Sequence, residues 1–219
     1  HGIKGGLGNH QQVQREAASF AKERPDYIHS AFFFQPILGI SAVDYTYKEE
    51  YGGHYEKSNF EGWGVDVGMK IGAIIRSLVA PYATFSFANL SGDARFKYLE
   101  AEVNEKYSDE VYRFLFGGGV AFFPFRNPEH ILNGGYIALS IGIVIQTEGD
   151  GKDIEGYRYS CDGASLADAG TQYKLELGKV WNIGDLWHAG VIVSYAIDEM
   201  VSSEVDSHSL GFAITVLRK

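Results

Sequence analysis

Gly62-Trp-Gly-Val-Asp-Val-Gly-Met-Lys-Ile-Gly-Ala-Ile-Ile-Arg76 alternates between two kinds of residue. Its odd positions are Trp63, Val65, Val67, Met69, Ile71, Ala73 and Ile75, all apolar. Its even positions mix Gly64, Gly68 and Gly72 with Asp66, Lys70, Ile74 and Arg76. A period of two is the signature of a strand, whose successive side chains point to opposite faces. The Gly64-x3-Gly68-x3-Gly72 spacing would pair helices in a membrane. On a strand it places three glycines on one face.

The same alternation recurs along the chain. His130–Thr147 is the longest stretch free of Asp, Glu, Lys and Arg, 18 residues, near the length of a spanning helix. It opens with the turn signal Asn133-Gly134-Gly135, after which Ile137, Leu139, Ile141, Ile143 and Ile145 alternate with small residues, Tyr136 and Val144. That is a strand. Similar runs cover Glu110–Pro124, Tyr173–Gly178, Trp187–Asp198 and Ser209–Val216. Less regular ones cover Ala31–Lys48, where a bulge near Pro36 or Gly39 is expected to shift the phase, and Pro81–Lys97. Eight strands result. Their connections alternate in length: Ser77–Ala80, Phe125–Asn133 and Ile183–Asp185 are short, whereas windows 48–61, 90–110, 148–170 and 198–206 are long and polar. In an up-and-down meander the long connections share one end and the short ones the other, the habit of outer-membrane barrels. The four long windows hold 20 acidic and 7 basic residues, so they carry −13 while the remainder carries +4.

Composition bounds the function. The chain has 219 residues, a formal net charge of −9 and 14% aromatics. That many aromatics excludes a solvated coil, and the acidity disfavours nucleic acid as a partner. One cysteine, Cys161, excludes an intrachain disulfide framework and a thiolate zinc site. Twenty-seven glycines and only five prolines suit curved strands. The opening residues show no secretory signal, so a membrane location implies a mature chain with its signal peptide removed.

Two closed barrels fit eight strands. A soluble lipocalin-like carrier keeps its apolar face inward around an apolar ligand; an outer-membrane barrel turns that face to lipid. Sterics favour the second. A bore of eight strands has room only for its own side chains, and here the bulky residues occupy one face and the glycines the other. The small face would then bring Asp66, Lys70, Arg113, Lys174 and Glu176 into a lumenal ion network. Facing lipid instead, each Lys or Arg at the bilayer centre would cost about 2–4 kcal/mol. Tyr45, Tyr47, Trp63, Tyr112 and Tyr173 at one end, with Tyr82, Phe122, Phe123, Trp181 and Trp187 at the other, are expected to form interfacial girdles.

On the Gly62–Gly72, Gly134–Ile145 and His208–Val216 segments the chain resembles the small outer-membrane β-barrel proteins of the OmpA/OmpX/OmpW type, from about Tyr27 to Lys219. The resemblance implies an all-β, eight-stranded antiparallel up-and-down transmembrane β-barrel, set in a bacterial outer membrane by the barrel-assembly machinery. That machinery reads a C-terminal strand ending in an aromatic. Here the chain closes on Leu217-Arg218-Lys219, which leaves Phe212 for that part. Some barrels of this size in related families are lipid A deacylases or palmitoyl transferases, which need a nucleophile and a base within hydrogen-bond reach on the outer wall. Ser207-His208-Ser209 and His29-Ser30 are the only close pairs, and strand neighbours point to opposite faces. No catalytic residue, metal site or cofactor is expected. The seven histidines are scattered, and Asp150-Gly-Lys-Asp-Ile-Glu155 lacks the alternating oxygens of a calcium loop.

Asn9–Arg24 reads as a short helix, capped by Asn9, stopped by Pro25 and bearing a Val13, Ala17, Phe20, Ala21 stripe. Residues 1–28 are therefore expected to form a partly helical periplasmic segment, and residues 29–219 the barrel. The expected role is non-enzymatic: structural, or surface interaction through acidic extracellular loops. A narrow channel for small solutes and a soluble carrier are the alternatives. Expected partners are outer-membrane lipid and lipopolysaccharide, together with an extracellular or periplasmic protein.

Overall fold

A computed structural model describes residues 31–51, 54–98, 101–125, 130–148, 151–152, 158–159, 168–184, 186–201 and 206–218. The expected helix at 9–24, the His29-Ser30 pair and Cys161 lie outside them. Eight long strands form the body: β1 (Ala31–Tyr51), β2 (His54–Ile74), β3 (Val79–Tyr98), β4 (Ala101–Phe122), β5 (Gly135–Glu148), β6 (Asp168–Asn182), β7 (Trp187–Met200) and β8 (Asp206–Arg218). Each pairs antiparallel with its neighbour in sequence, and β8 pairs with β1, so the sheet closes on itself. A two-residue ladder, Gly151–Lys152 with Arg158–Tyr159, adds to β4 through Ser108.

Side chains divide as the alternation requires. Trp63, Ile141 and Phe212 are 69%, 54% and 51% exposed, whereas Lys70 and Glu176 are 2% exposed. A soluble carrier would show the opposite. The apolar wall continues around the closed sheet through Leu38, Val67, Phe85, Phe116, Leu177 and Val193. A closed antiparallel barrel wearing an apolar band is the build that satisfies every backbone group without water.

Three expectations need correction. First, the bulge near Pro36 or Gly39 is absent: Phe34 opposite Arg218 and Ile37 opposite Thr215 keep one register, and the β1–β2 ladder is unbroken. Proline lacks an N–H and so removes one donor from the ladder, while the Pro36 carbonyl accepts from the Thr215 hydroxyl at 2.6 Å. Second, the polar windows 48–61 and 90–110 are largely strand. The β1–β2 ladder runs to Tyr51 opposite His54, and β3–β4 runs to Tyr98 opposite Ala101 after a register shift at Phe96. A polar stretch of sequence does not mark where pairing ends, because a hairpin satisfies its own backbone in water. A strand crosses a bilayer in roughly 9–11 residues, so β1–β4, at 20–22 residues, reach far beyond it. Third, the girdles are thinner than expected. Tyr45, Tyr82 and Phe123 turn into the bore, while Trp63, Phe122, Tyr173, Trp181 and Trp187 stay outside.

The short turns follow local chemistry. Gly134 takes φ +78°, and its carbonyl accepts the Val180 amide at 3.0 Å. The β2–β3 turn is more demanding. The Leu78 amide bonds the Ile75 carbonyl at 3.1 Å, with Arg76 and Ser77 at φ 51° and 54°. Two consecutive left-handed residues suit Asn-Gly, not Arg-Ser. Ser77→Gly should therefore raise stability by about 1 kcal/mol, read as a higher urea midpoint for unfolding from lipid vesicles. An unchanged or lower midpoint would contradict the strain.

Candidate functional site

The bore is filled in three layers. Near the short-turn end, Phe33, Ile74, Tyr82, Tyr136, Val180 and Leu217 pack into one apolar cluster. Near the hairpin end, Val43, Tyr45, Phe60, Leu90 and Val111 form a second, with Tyr45 and Phe60 stacked at 4.7 Å. Charged residues lie between them. The small face therefore does not leave a merely polar bore: its glycines make room for inward aromatics. Tyr136 lies across from Gly178, where a Cβ would come within 2.2 Å of the ring. Tyr82 lies across from Gly119, where the distance would be 2.7 Å.

Lys70 of β2 pairs with Glu176 of β6, and these strands stand on opposite sides of the barrel, four steps apart around the sheet. Lys174 approaches the other oxygen of Glu176 at 3.5 Å. The Lys70 ammonium also sits 4.8 Å above the Tyr82 ring, a cation–π contact, and Gln35 Nε2 donates to the Tyr136 hydroxyl at 3.4 Å. A second centre joins Arg113 of β4 to Asp198 of β7. Asp198 Oδ1 accepts from Gln172 Nε2 at 2.7 Å, and Oδ2 accepts from the Ser207 hydroxyl at 3.0 Å.

Of the five residues singled out in sequence, the structure brings Lys70, Lys174 and Glu176 together. It takes Arg113 to a separate partner and leaves Asp66 outside both centres. Asp66 Oδ1 is buried without a hydrogen-bond partner, and among the described residues Asp66 forms no ion pair. Asp198 was missed as a centre because it opens a polar window. Its parity with Ser194 and Ala196, both inward, was the available signal. The Ser207-His208 pair is split by the wall. Ser207 is buried on Asp198, while His208 faces outward and its Nδ1 lies 2.9 Å from the Tyr195 hydroxyl. No nucleophile–base contact results.

Such an arrangement seals. Around Phe33, Lys70, Tyr82 and Tyr136 the bore leaves a hollow of about 10 Å³, at most enough for one water. Removing one partner of a buried ion pair strands the other, at about 3–5 kcal/mol, whereas replacing both with apolar groups is close to neutral. Glu176→Leu should therefore lower the unfolding free energy by about that much, and Lys70→Met with Glu176→Leu should recover most of it. Equal losses in the single and double variants, measured by urea unfolding, would show that the pair does not act as a unit.

No protein-family model matches the chain, and no curated protein sequence matches it. Solved structures do resemble it. One is Ail, the attachment invasion locus protein of Yersinia pestis, in complex with the heparin analogue sucrose octasulfate. It has 10% identity and a TM-score of 0.48, and the match covers 85% of this chain and 98% of that one. Another is the outer membrane protein OprG of Pseudomonas aeruginosa, with 11% identity, a TM-score of 0.47, and coverage of 87% and 96%. A third is the outer membrane protease OmpT of Escherichia coli, with 6% identity, a TM-score of 0.45, and coverage of 89% and 97%. At these identities the likeness is one of fold. The closed ladder, the apolar band and the charged bore make this chain an eight-stranded β-barrel that spans a membrane.

Proposed function

We propose that the protein is a non-enzymatic surface-interaction protein that acts through the β1–β2 and β3–β4 hairpins, not through its bore. One observation carries this reading: the bore is closed by two apolar clusters and two ion-pair centres, while the hairpins continue well past the length that a bilayer needs. A solute path would have to break buried charge pairs. The charge separation adds a direction. The four long windows carry −13, of which windows 48–61 and 90–110, the hairpin tips, hold −5, so this end of the barrel favours a partner with a basic contact surface. A polyanion of the kind seen with Ail would be repelled. Residues 1–28 are proposed as a periplasmic extension of the barrel.

In planar bilayers the full chain should conduct little or nothing, and a steady current of porin size would overturn the sealed-bore reading. A second measurement addresses the hairpins. Cells displaying the chain should adhere to a polylysine-coated surface in a salt-sensitive way. Glutamine in place of Glu49, Glu50, Glu56, Glu100, Glu102 and Glu105 should weaken the adhesion severalfold while the barrel keeps its heat-dependent gel mobility. Adhesion unchanged by these substitutions would assign the interaction elsewhere.

A further inference from the structure

At the hairpin end β1 outruns its neighbour β8. Its last partner there is Asp206, opposite Thr46, whereas its pairing with β2 continues to Tyr51 opposite His54. From Tyr47 to Tyr51, β1 is therefore paired on one side only among the described residues. β2 and β3 stay paired as far as Glu56 opposite Tyr98. The four strands β1–β4 thus rise above the closed barrel as one sheet, with β1 and β4 at its edges.

Pro36 tells which backbone groups lie on the open side. Its carbonyl accepts from the Thr215 hydroxyl of β8, so it turns toward that strand. In an antiparallel ladder a residue turns its N–H and its C=O to the same neighbour, and the next residue turns to the other. The β1–β2 register runs without a shift from Ala31 to Tyr51. Even-numbered residues of β1 therefore face β8 throughout, and Lys48 and Glu50 turn both backbone groups to the side where β8 has stopped.

Among the described residues nothing takes the place of β8 there. β1 begins at Ala31, opposite Ile74 at the short-turn end of β2, so the chain before it enters at the other end of the barrel. The β7–β8 connection leans away from β1, since the Val201 amide donates to the Ala169 carbonyl of β6 at 2.9 Å. The opposite edge of the sheet is different. β4 outruns β5 past Val111 opposite Glu148, and there Lys152 of the same chain pairs with Ser108. One edge of this sheet already takes an added strand by main-chain pairing. The other edge is open, and open edges pair with other chains.

We propose that an extended, basic segment of a partner protein adds to β1 as a further strand, hydrogen-bonded to the backbone groups of Lys48 and Glu50. In this mode of recognition the main chain supplies the affinity. The charge of the segment follows from its position. It continues the line of β8 past Asp206, over a connection whose residues 199–206 include Glu199, Glu204 and Asp206 and no basic residue. The inference rests on the surface-interaction role proposed above and names the strand that carries it.

The probe is an end-capped octapeptide that alternates lysine and threonine, labelled with carbon-13 at its carbonyls and added to the full chain in lipid nanodiscs. Its bound carbonyls should absorb in the infrared as an extended strand, and absorption as disordered peptide would overturn the proposal. Lys48→Pro with Glu50→Pro removes both edge N–H groups, leaves the net charge unchanged and places proline where an edge strand accepts it. Binding should weaken about tenfold, the scale of two ordinary hydrogen bonds. Lys48→Thr with Glu50→Thr removes the same side chains, keeps both N–H groups and should bind as the unaltered chain does. Equal binding by the proline and threonine variants would overturn strand addition. Failure of the unaltered chain to bind the peptide, while cells displaying it still adhere to polylysine, would overturn strand addition alone and leave the charge-based surface role standing. Heat-dependent gel mobility of each variant reports that the barrel itself has folded.

Discussion

The structure depends on one constraint: within hydrocarbon, no backbone N–H or C=O can be left without a partner. Closure of β8 onto β1 meets it for the whole sheet at once. At Pro36, in mid-strand, the carbonyl has its partner in the Thr215 hydroxyl. Closure also creates an inside and an outside. Every alternating segment must then give one face to lipid and the other to a bore too narrow for solvent.

That bore poses the second problem, which is solved by pairing and by shape. Lys70 and Glu176 reach across the full width of the barrel, and Arg113 and Asp198 across part of it, so these four buried charges meet their opposites. A buried charge without a partner would weigh heavily against folding. Glycines on the inner face let Tyr82 and Tyr136 lie flat against the wall beside these charges. A filled, cross-braced interior holds the wall rigid.

Beyond the membrane the rules relax. A hairpin pairs its own backbone in water as it does in lipid, so β1–β4 continue as hairpins past the bilayer. β1 outruns β8 there, and the closure that removes sheet edges within the barrel leaves one above it.

Strand identity, the lipid-facing side and the number of strands were legible in the sequence, because alternation is a local property and burial in a thin wall depends on parity alone. Trp63, Ile141 and Phe212 could be placed outside, and Lys70 and Glu176 inside, without any partner being known. Which charges meet was not legible. Asp66 and Asp198 are both inward by parity, yet only Asp198 finds Arg113, because contact across the bore depends on the shear of all eight strands together. Hairpin length was hidden for a related reason: polarity reports the solvent around a strand, whereas pairing depends on its neighbour. The open edge of β1 beyond Thr46 exists only in the closed sheet, where the register of β8 decides how far it covers its neighbour.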